Sequence, residues 1–194
     1  MDDPMNQSPA TGGGAADPAF ATVRRATPDD AALLSAVAAE TFPLACPPHT
    51  TATAIAQFIA ANLSVTAFEG YLADADRVLF LAEAGGEAAG YTMVVVGDPQ
   101  DPDVAAAVTV RPTAELSKVY VREGFHGAGL ASQLVAVSVE AARARGALSV
   151  WLGVNQENAR ANRFYEKQGF ARAGTKRFLV GDRYEDDFVR MLVL

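Results

Sequence analysis

A glycine-rich turn between an apolar strand pattern and an alanine-rich helix pattern is the strongest constraint on how this chain folds. A strand is predicted to end at Val119–Val121, Gly124, Gly127 and Gly129 form the turn, and a helix is predicted over 130–145. Glycine allows positive φ and lets a ligand approach the backbone closely. The first amides of the helix lack partners within it and carry the positive end of its dipole. The segment therefore predicts an anion site suited to a pyrophosphate.

A second segment, residues 150–170, repeats the order of apolar strand, loop and helix. Together the two segments resemble the GNAT superfamily of acyl-CoA-dependent N-acetyltransferases. That family's pyrophosphate motif is Arg or Gln, two free positions, Gly, one free position, then Gly or Ala, and residues 126–131 match it as HGAGLA. The family's later N-x-x-A-x-x-F/L-Y-x-K-x-G-F signature is matched by Asn158, Ala161, Phe164, Tyr165, Lys167, Gly169 and Phe170.

The resemblance covers about residues 20–194 and is strongest from 114 onward. It implies an α/β (α+β) fold with a mixed, twisted sheet of about seven strands, splayed between strands 4 and 5, and helices on both faces. The order of strand and helix patterns independently favours a mixed sheet covered by helices. Residues 1–19, rich in Gly, Pro, Ser, Ala and Asp, are predicted to be a disordered tail before a single domain.

The remaining patterns predict a first strand over 20–26 and a helix from Pro28 to about Glu40. The three prolines in 42–50 predict an irregular loop, and 104–110 is predicted to be an edge strand or an extended loop. Further helices are predicted over 55–62 and 65–72, and further strands over 77–83, 88–96, 176–180 and 184–193.

Charge and composition exclude several classes of partner. The net charge of −7 argues against nucleic acid and anionic membranes. The sequence contains no run of about eighteen apolar residues, so no membrane span is predicted. Cys46 is the only cysteine, so no internal disulfide can form, which suits a reducing, cytoplasmic location. The acidic field outside the cofactor cleft favours a cationic substrate.

The resemblance implies acetyl-CoA as cosubstrate and no metal. Main-chain groups of Val119, Tyr120 and Val121 would pair with the pantetheine arm, as an added strand pairs with a sheet. Pyrophosphate binding would use the amides of the motif, Gly127, Ala128, Gly129, Leu130 and Ala131.

His126 stands where the family usually has Arg or Gln, and it is a weaker fixed charge. Arg122, earlier in the same loop, could supply the ion pair, and His126 could be an ordinary solvated loop residue. Asn158 is predicted to cap a helix and to contact the CoA arm. Arg160 and Arg163 lie on or near that helix, where one could meet a CoA phosphate.

Two residues are candidates for the proton transfers of an acetyl transfer. The resemblance assigns Tyr165 as the acid that protonates the departing thiolate; its alternative is a core aromatic beside Phe164. Glu115 is a candidate base, because an alkylammonium with a pKa near 10.4 must lose a proton before it attacks. Some superfamily members use a water chain instead, and Glu115 could also be an exposed strand residue.

Within the superfamily the pattern is closest to PaiA-like polyamine acetyltransferases. Acids that could receive a polycation are Glu40, Asp182, Glu185, Asp186 and Asp187, although acids around a hairpin are often only solvated. Three interpretations stay open: an acetyltransferase for a small amine such as a polyamine, one for a protein N-terminus or lysine, and a non-catalytic CoA-binding module. Family members are often dimers, so a homodimer is one assembly to test.

Overall fold

Seven strands form the centre of the protein, whose computed structural model describes residues 21–181 and 183–194. In chain order they are β1 (Thr22–Arg25), β2 (Arg77–Ala84), β3 (Glu87–Val96), β4 (Thr113–Val121), β5 (Ser149–Asn155), β6 (Ala171–Val180) and β7 (Arg183–Val193). They make one sheet in the order β1-β2-β3-β4-β5-β7-β6. The pair β4–β5 is parallel and the other pairs are antiparallel, so the predicted mixed sheet is confirmed. The predicted tail, residues 1–19, lies outside the described residues.

Six α-helices pack on the sheet: α1 (Ala31–Ala45), α2 (Ala52–Asn62), α3 (Val65–Ala73), α4 (Pro102–Ala107), α5 (Leu130–Ala144) and α6 (Ala159–Lys167). The predicted α2 and α3 are confirmed, and both begin at side-chain caps. Thr51 and Ser64 accept hydrogen bonds from amides three residues later, which satisfies donors that a helix leaves unpaired. Among the described residues, no helix has the length and apolar character needed to cross a membrane.

The prediction of a strand or extended loop over 104–110 is wrong, because a short helix, α4, occupies Pro102–Ala107. Asp101 caps it by accepting from the amides of Asp103 and Val104. Val104 is fully buried and packs with Trp151 of β5. The apolar burial and the cap outweigh the β preference of the valines.

The prediction of an irregular loop over 42–50 is wrong at its start, because α1 continues through Ala45 with Pro43 inside it. Phe42 is 5% exposed, and its ring stacks on that of Phe58 in α2 at 4.4 Å. This aromatic packing favours one further helical turn despite the hydrogen bond that proline cannot donate.

The last hairpin is longer than the sequence indicates, since β6 begins at Ala171 rather than at Lys176. Its early part is mostly small or polar, with no apolar alternation to mark a strand. Pairing supplies the strand geometry instead: Ala171 lies opposite Met191 of β7, and a bulge follows between Arg172 and Gly174.

A bulge in β4 sets which side chains point to each face of the sheet. Met93 pairs with Lys118 and Val94 pairs with Leu116, so Ser117 is an extra residue without a partner on β3. Because side chains alternate along a strand, one extra residue reverses the faces beyond it.

The bulge therefore divides β4 between two cores. Leu116 and Val119 both pack in the core under α5, although their spacing is odd. Lys118 and Tyr120 point to the opposite face, where Lys118 lies over the Tyr71 ring of α3 and Tyr120 packs on the core under α1–α3.

The sheet splays between β4 and β5, as predicted. The two strands pair only over Thr113–Glu115 and Ser149–Trp151, although β4 runs to Val121 and β5 to Asn155. Beyond these pairs the strands separate, and a cavity opens between them.

We expect Gly90→Ala to destabilise the sheet beside this opening. A Cβ at Gly90 would lie 2.5 Å from the carbonyl oxygen of Tyr120, so β3 and β4 would have to shift. Overpacking of this kind costs about 1–3 kcal/mol. Urea unfolding would measure the loss, with Gly70→Ala as the control.

Gly70 lies in α3 with open space around its Cβ position. Its replacement by Ala should stabilise the protein by about 0.4–1 kcal/mol, because alanine has the higher helix propensity. Equal unfolding free energies for the two variants would contradict the close approach of β3 and β4.

Candidate active site

A cavity of about 370 Å³ occupies the space where β4 and β5 separate. Both strands line it, and so do α1, α2, α6 and the β6–β7 hairpin. Of the residues predicted for function, it brings together Glu115, Val119, Tyr120, Asn158, Tyr165, Glu185 and Asp187. The sequence did not indicate Lys118, Lys176, Asn62 and Cys46, which also line the cavity.

Tyr165 enters the cavity from α6. The helix begins at Asn158, whose side chain accepts from the Ala161 amide at 3.0 Å, so the predicted cap is confirmed. The Tyr165 ring packs edge-on against Phe164 and Phe170 at 5.2 and 5.9 Å between centroids. Burial raises the pKa of Tyr165, so its hydroxyl is protonated at neutral pH and is available as a hydrogen-bond donor.

A buried polar network that the sequence analysis missed fixes α6 to β7. Arg190 is 4% exposed and donates to Asn162 Oδ1 at 3.0 Å, to the Phe170 carbonyl at 3.2 Å and to Glu166 Oε1 at 2.7 Å. Asn162 in turn donates to the carbonyls of Asn155 and Asn158. The sequence signal for this network was an arginine within the apolar pattern of β7, because an arginine that is buried needs hydrogen-bonding partners.

Glu115 lies at the last pair between β4 and β5 and lines the cavity. Burial raises its pKa, although the nearby ammonium groups of Lys176 and Lys118 act in the opposite direction. Burial lowers the pKa of Lys118 to about 8, so this amine is unusually easy to deprotonate for a lysine.

Two β7 carboxylates face the cavity from its other side. Glu185 Oε1 lies 2.8 Å from His49 Nε2 in the α1–α2 loop, and this contact links that loop to β7. Burial raises the pKa of Asp187 to about 6; Lys176 opposes this shift and Glu185 adds to it. A Cβ at Gly153 would lie 2.6 Å from Lys176 Cε and 3.2 Å from Asp187 Oδ2, so glycine leaves room for both side chains.

The structure separates the other predicted acceptor acids from these two. The Glu40 carboxylate lies 2.9 Å from Arg122 Nε, and Asp186 lines an open groove of about 670 Å³ beside α4. Asp182 lies outside the described residues. Cys46 lines the cavity, but burial and the charge of Glu185 raise its pKa to about 11, which keeps the thiol protonated.

The predicted phosphate loop has the backbone geometry that its glycines suggested. Gly127 and Gly129 have φ of +87° and +78°, a conformation that L side chains rarely adopt. Space is open at both Cβ positions. Helix α5 begins directly afterwards at Leu130, and the first bond into it is from the Gln133 amide to the Gly129 carbonyl. The amides of Leu130 and Ala131 are thus among those that α-helix geometry leaves unpaired.

The cations predicted around this loop have different surroundings. His126 is exposed, and its Nε2 lies 2.8 Å from the Val121 carbonyl oxygen, so one ring nitrogen is engaged with the loop itself. Arg122 donates to the Ala88 carbonyl and pairs with Glu40, so its guanidinium braces β3 and α1. Arg160 and Arg163 are exposed on α6.

Within residues 21–181 and 183–194, no three His, Cys, Asp or Glu side chains lie close enough together to hold a metal ion. The cavity's polar groups are instead acids, amines, amides and phenols, which suit proton transfer and the binding of a charged organic molecule.

Known proteins similar to this chain are N-acetyltransferases. The model of the Acetyltransferase (GNAT) family matches residues 41–170. An uncharacterised N-acetyltransferase of Mycobacterium tuberculosis strain H37Rv is 46% identical over 160 residues, which are 82% of this chain and 95% of that protein.

Two solved structures illustrate the shared fold. The PaiA N-acetyltransferase of Thermoplasma acidophilum in complex with coenzyme A has a TM-score of 0.73 at 18% identity, over 90% of this chain and 99% of that one. The ribosomal-protein-S18-alanine N-acetyltransferase of Escherichia coli has a TM-score of 0.61 at 20% identity, over 90% and 94%. With the family match and the mycobacterial relative, these similarities show that the chain belongs to the GNAT family of N-acetyltransferases, for which acetyl-CoA is the cosubstrate.

Proposed function

We propose that this enzyme acetylates a small cationic primary amine, with polyamines as the leading class of acceptor. The observation that carries the proposal is that the same cavity holds Tyr165 and the carboxylates of Glu115, Glu185 and Asp187. PaiA-like polyamine acetyltransferases, which the sequence resembles in pattern, support the same class. In this cavity the cationic acceptor would lie between the carboxylates on one side and the thioester on the other.

The cofactor-binding residues follow from the splay and the glycine loop. Residues 116–121 of β4 have no partner on β5, so main-chain groups of Val119, Tyr120 and Val121 are proposed to pair with the pantetheine arm. The pyrophosphate would accept from amides of the loop and the start of α5, Gly127, Ala128, Gly129, Leu130 and Ala131. Asn158 is proposed to contact the CoA arm.

Further contacts to the CoA phosphates are proposed from side chains near the loop. One ring nitrogen of His126 is engaged with Val121, and the other can meet a phosphate. Arg160 on the exposed face of α6 is a second candidate. Arg122 would have to break its ion pair with Glu40 to reach a phosphate, so we expect it to contribute less to phosphate binding than His126 or Arg160.

In the chemical step the neutral amine nitrogen attacks the thioester carbonyl carbon. A C–N bond forms, the C–S bond breaks, and the amine gives up a proton. Glu115 is the proposed acceptor of that proton, directly or through water, and its raised pKa brings it closer to the pH at which a base works best. The Tyr165 hydroxyl donates to the sulfur as negative charge develops and then protonates the thiolate.

A protein N-terminus is the second candidate acceptor, and one observation favours it. The open groove beside α4 shares Lys176 with the cavity, so the two spaces adjoin. A peptide with its terminal amine in the cavity could continue along this groove past Arg177 and Asp186. A cytoplasmic location and a homodimer stay predictions from the sequence.

An acceptor panel distinguishes the two candidates. Thiol release from acetyl-CoA would be followed with spermidine, spermine, lysine-bearing peptides and peptides with a free N-terminus. Turnover with the polyamines alone supports the proposal, and turnover with free N-termini alone replaces it with the second candidate. Binding of CoA without turnover of any amine would contradict both.

Tyr165→Phe should lower kcat by about 10²-fold, because it removes the proposed acid. The dissociation constant for CoA, measured by calorimetry, should stay near the wild-type value, because the ring remains packed on Phe164 and Phe170. Tyr184→Phe is the control, since Tyr184 is 57% exposed and does not line the cavity. A wild-type kcat for Tyr165→Phe would exclude the acid role.

Gly129→Asp should weaken CoA binding by at least about 100-fold, because a carboxylate would face the pyrophosphate and like charges repel by several kcal/mol. Gly146→Asp is a matched control. It has a similar φ of +85° with open space, but lies beyond the other end of α5. Titration calorimetry with CoA should give near wild-type affinity for the control. If both variants lose binding equally, backbone strain and not the phosphate loop explains the loss.

Asp187→Asn should raise the KM for spermidine by about tenfold at pH 7.5, the expected loss for a charge-assisted hydrogen bond. The pKa of Asp187 is raised to about 6, so the wild-type carboxylate is ionised above that pH and protonated below it. The ratio of variant to wild-type KM should therefore fall toward one as the pH is lowered to 5.

The exposed Glu69 of α3 gives a control for this measurement, and Glu69→Gln should leave KM unchanged across the range. A KM ratio for Asp187→Asn that does not change with pH would show that the Asp187 charge does not bind the acceptor.

A further inference from the structure

Arg190 is the one buried cation among residues 21–181 and 183–194; it does not line the cavity, and the proposed chemistry does not use it. Its guanidinium bonds three groups around α6: the Asn162 amide oxygen, the Phe170 carbonyl and the Glu166 carboxylate. Asn162 lies three residues before Tyr165, and Glu166 lies one residue after it. Arg190 therefore holds the turn of α6 that carries Tyr165.

The network also reaches the start of the helix. Asn162 donates to the carbonyl of its cap residue Asn158 at 3.0 Å and to the carbonyl of Asn155 at the end of β5 at 2.9 Å. The buried side-chain amide of Asn162 thus links Arg190 of β7 to the end of β5 and to the start of α6. Every polar group named here is paired, which gives α6 one preferred orientation.

The shortness of α6 makes such a brace necessary. The helix has nine residues, fewer than an isolated helix needs to persist in water, so contacts outside it determine its orientation. Asn162 is the one buried residue of α6, whereas Tyr165 is only half-buried because its ring faces the cavity. Ala161, Phe164 and Tyr165 of α6 are only partly buried where they pack on the core, so the polar bonds at Asn162 add a contact of defined direction.

A purely stabilising role explains Arg190 less well. Replacing buried ionic groups by well-packed apolar residues is often neutral or favourable for stability, so the fold alone does not call for an arginine here. The rigid, planar guanidinium, whose three nitrogens each donate to a different group here, instead fixes direction as well as distance.

We propose that Arg190 is a positioning residue, which acts through Asn162 and Glu166 to aim the Tyr165 hydroxyl at the thioester sulfur. The inference rests on the acid role of Tyr165 in the proposed function. A displacement of about 1 Å at a reacting group can lower a rate by about 100-fold, so loss of the brace should affect kcat more than binding.

A double-mutant cycle tests this. Steady-state kcat and both KM values would be measured for Arg190→Met, Arg190→Lys, Tyr165→Phe and the double variant Arg190→Met/Tyr165→Phe. Arg190→Met should lower kcat at least about tenfold in the wild-type background and less than about twofold in the Tyr165→Phe background. The dissociation constant for CoA should change less than about threefold, and Arg190→Lys should recover part of kcat because it keeps a buried donor.

Arg172→Met is the matched control. Arg172 lies opposite Arg190 in the sheet and stacks on the Phe188 ring at 4.0 Å, but it is exposed. Its replacement should leave kcat at the wild-type value. Circular dichroism and the Tm of each variant show whether it folds, and if Arg190→Met does not fold, the same cycle is run with Arg190→Lys.

The outcomes separate the two hypotheses. If Tyr165→Phe lowers kcat and Arg190→Met lowers it by the same factor in both backgrounds, Arg190 does not act through Tyr165, and this inference is wrong while the acid role stands. If Arg190→Met has wild-type kcat, the inference is also wrong. If Tyr165→Phe itself has wild-type kcat, the acid role fails and this inference fails with it.

Discussion

The separation of β4 from β5 is the constraint on which the rest of the structure depends. Two parallel strands that pair over three residues and then diverge leave backbone groups of β4 without sheet partners. Unpaired backbone groups need other partners, so the opening is suited to an extended polar ligand. The bulge at Ser117 turns Lys118 and Tyr120 into the opening and keeps Val119 in the core under α5.

Burial gives the cavity its chemistry. Desolvation disfavours charge, so it raises the pKa of Glu115 and Asp187 and lowers that of Lys118. Acids and amines with pKa values shifted toward neutrality exchange protons readily near neutral pH. The same desolvation keeps the Tyr165 hydroxyl protonated, as a donor to a developing thiolate must be. Desolvation thus favours the proposed base, whereas the raised pKa of Tyr165 makes it a weaker acid that donates a hydrogen bond until charge has developed on the sulfur.

Much of this arrangement was predictable from the sequence. Glycines at 127 and 129 before an alanine-rich helix predicted the positive φ values, and Asn158 predicted the cap of α6, because both effects are local. The helix over Pro102–Ala107 and the early start of β6 were not predicted. Each depends on a partner distant in sequence: Trp151 for α4 and Met191 for β6.

The sequence by itself determined the glycine loop, the cap of α6 and most of the order of strands and helices, because these follow from local backbone preferences, and its motifs carried the family resemblance, which implied the splayed mixed sheet. Tertiary structure decided which charges meet. It brought Asp187 and Lys176 over Gly153, engaged Arg122 with Glu40, and placed Arg190 against Asn162. Charge pairing depends on distances between side chains on separate elements, and only the packing of those elements fixes them.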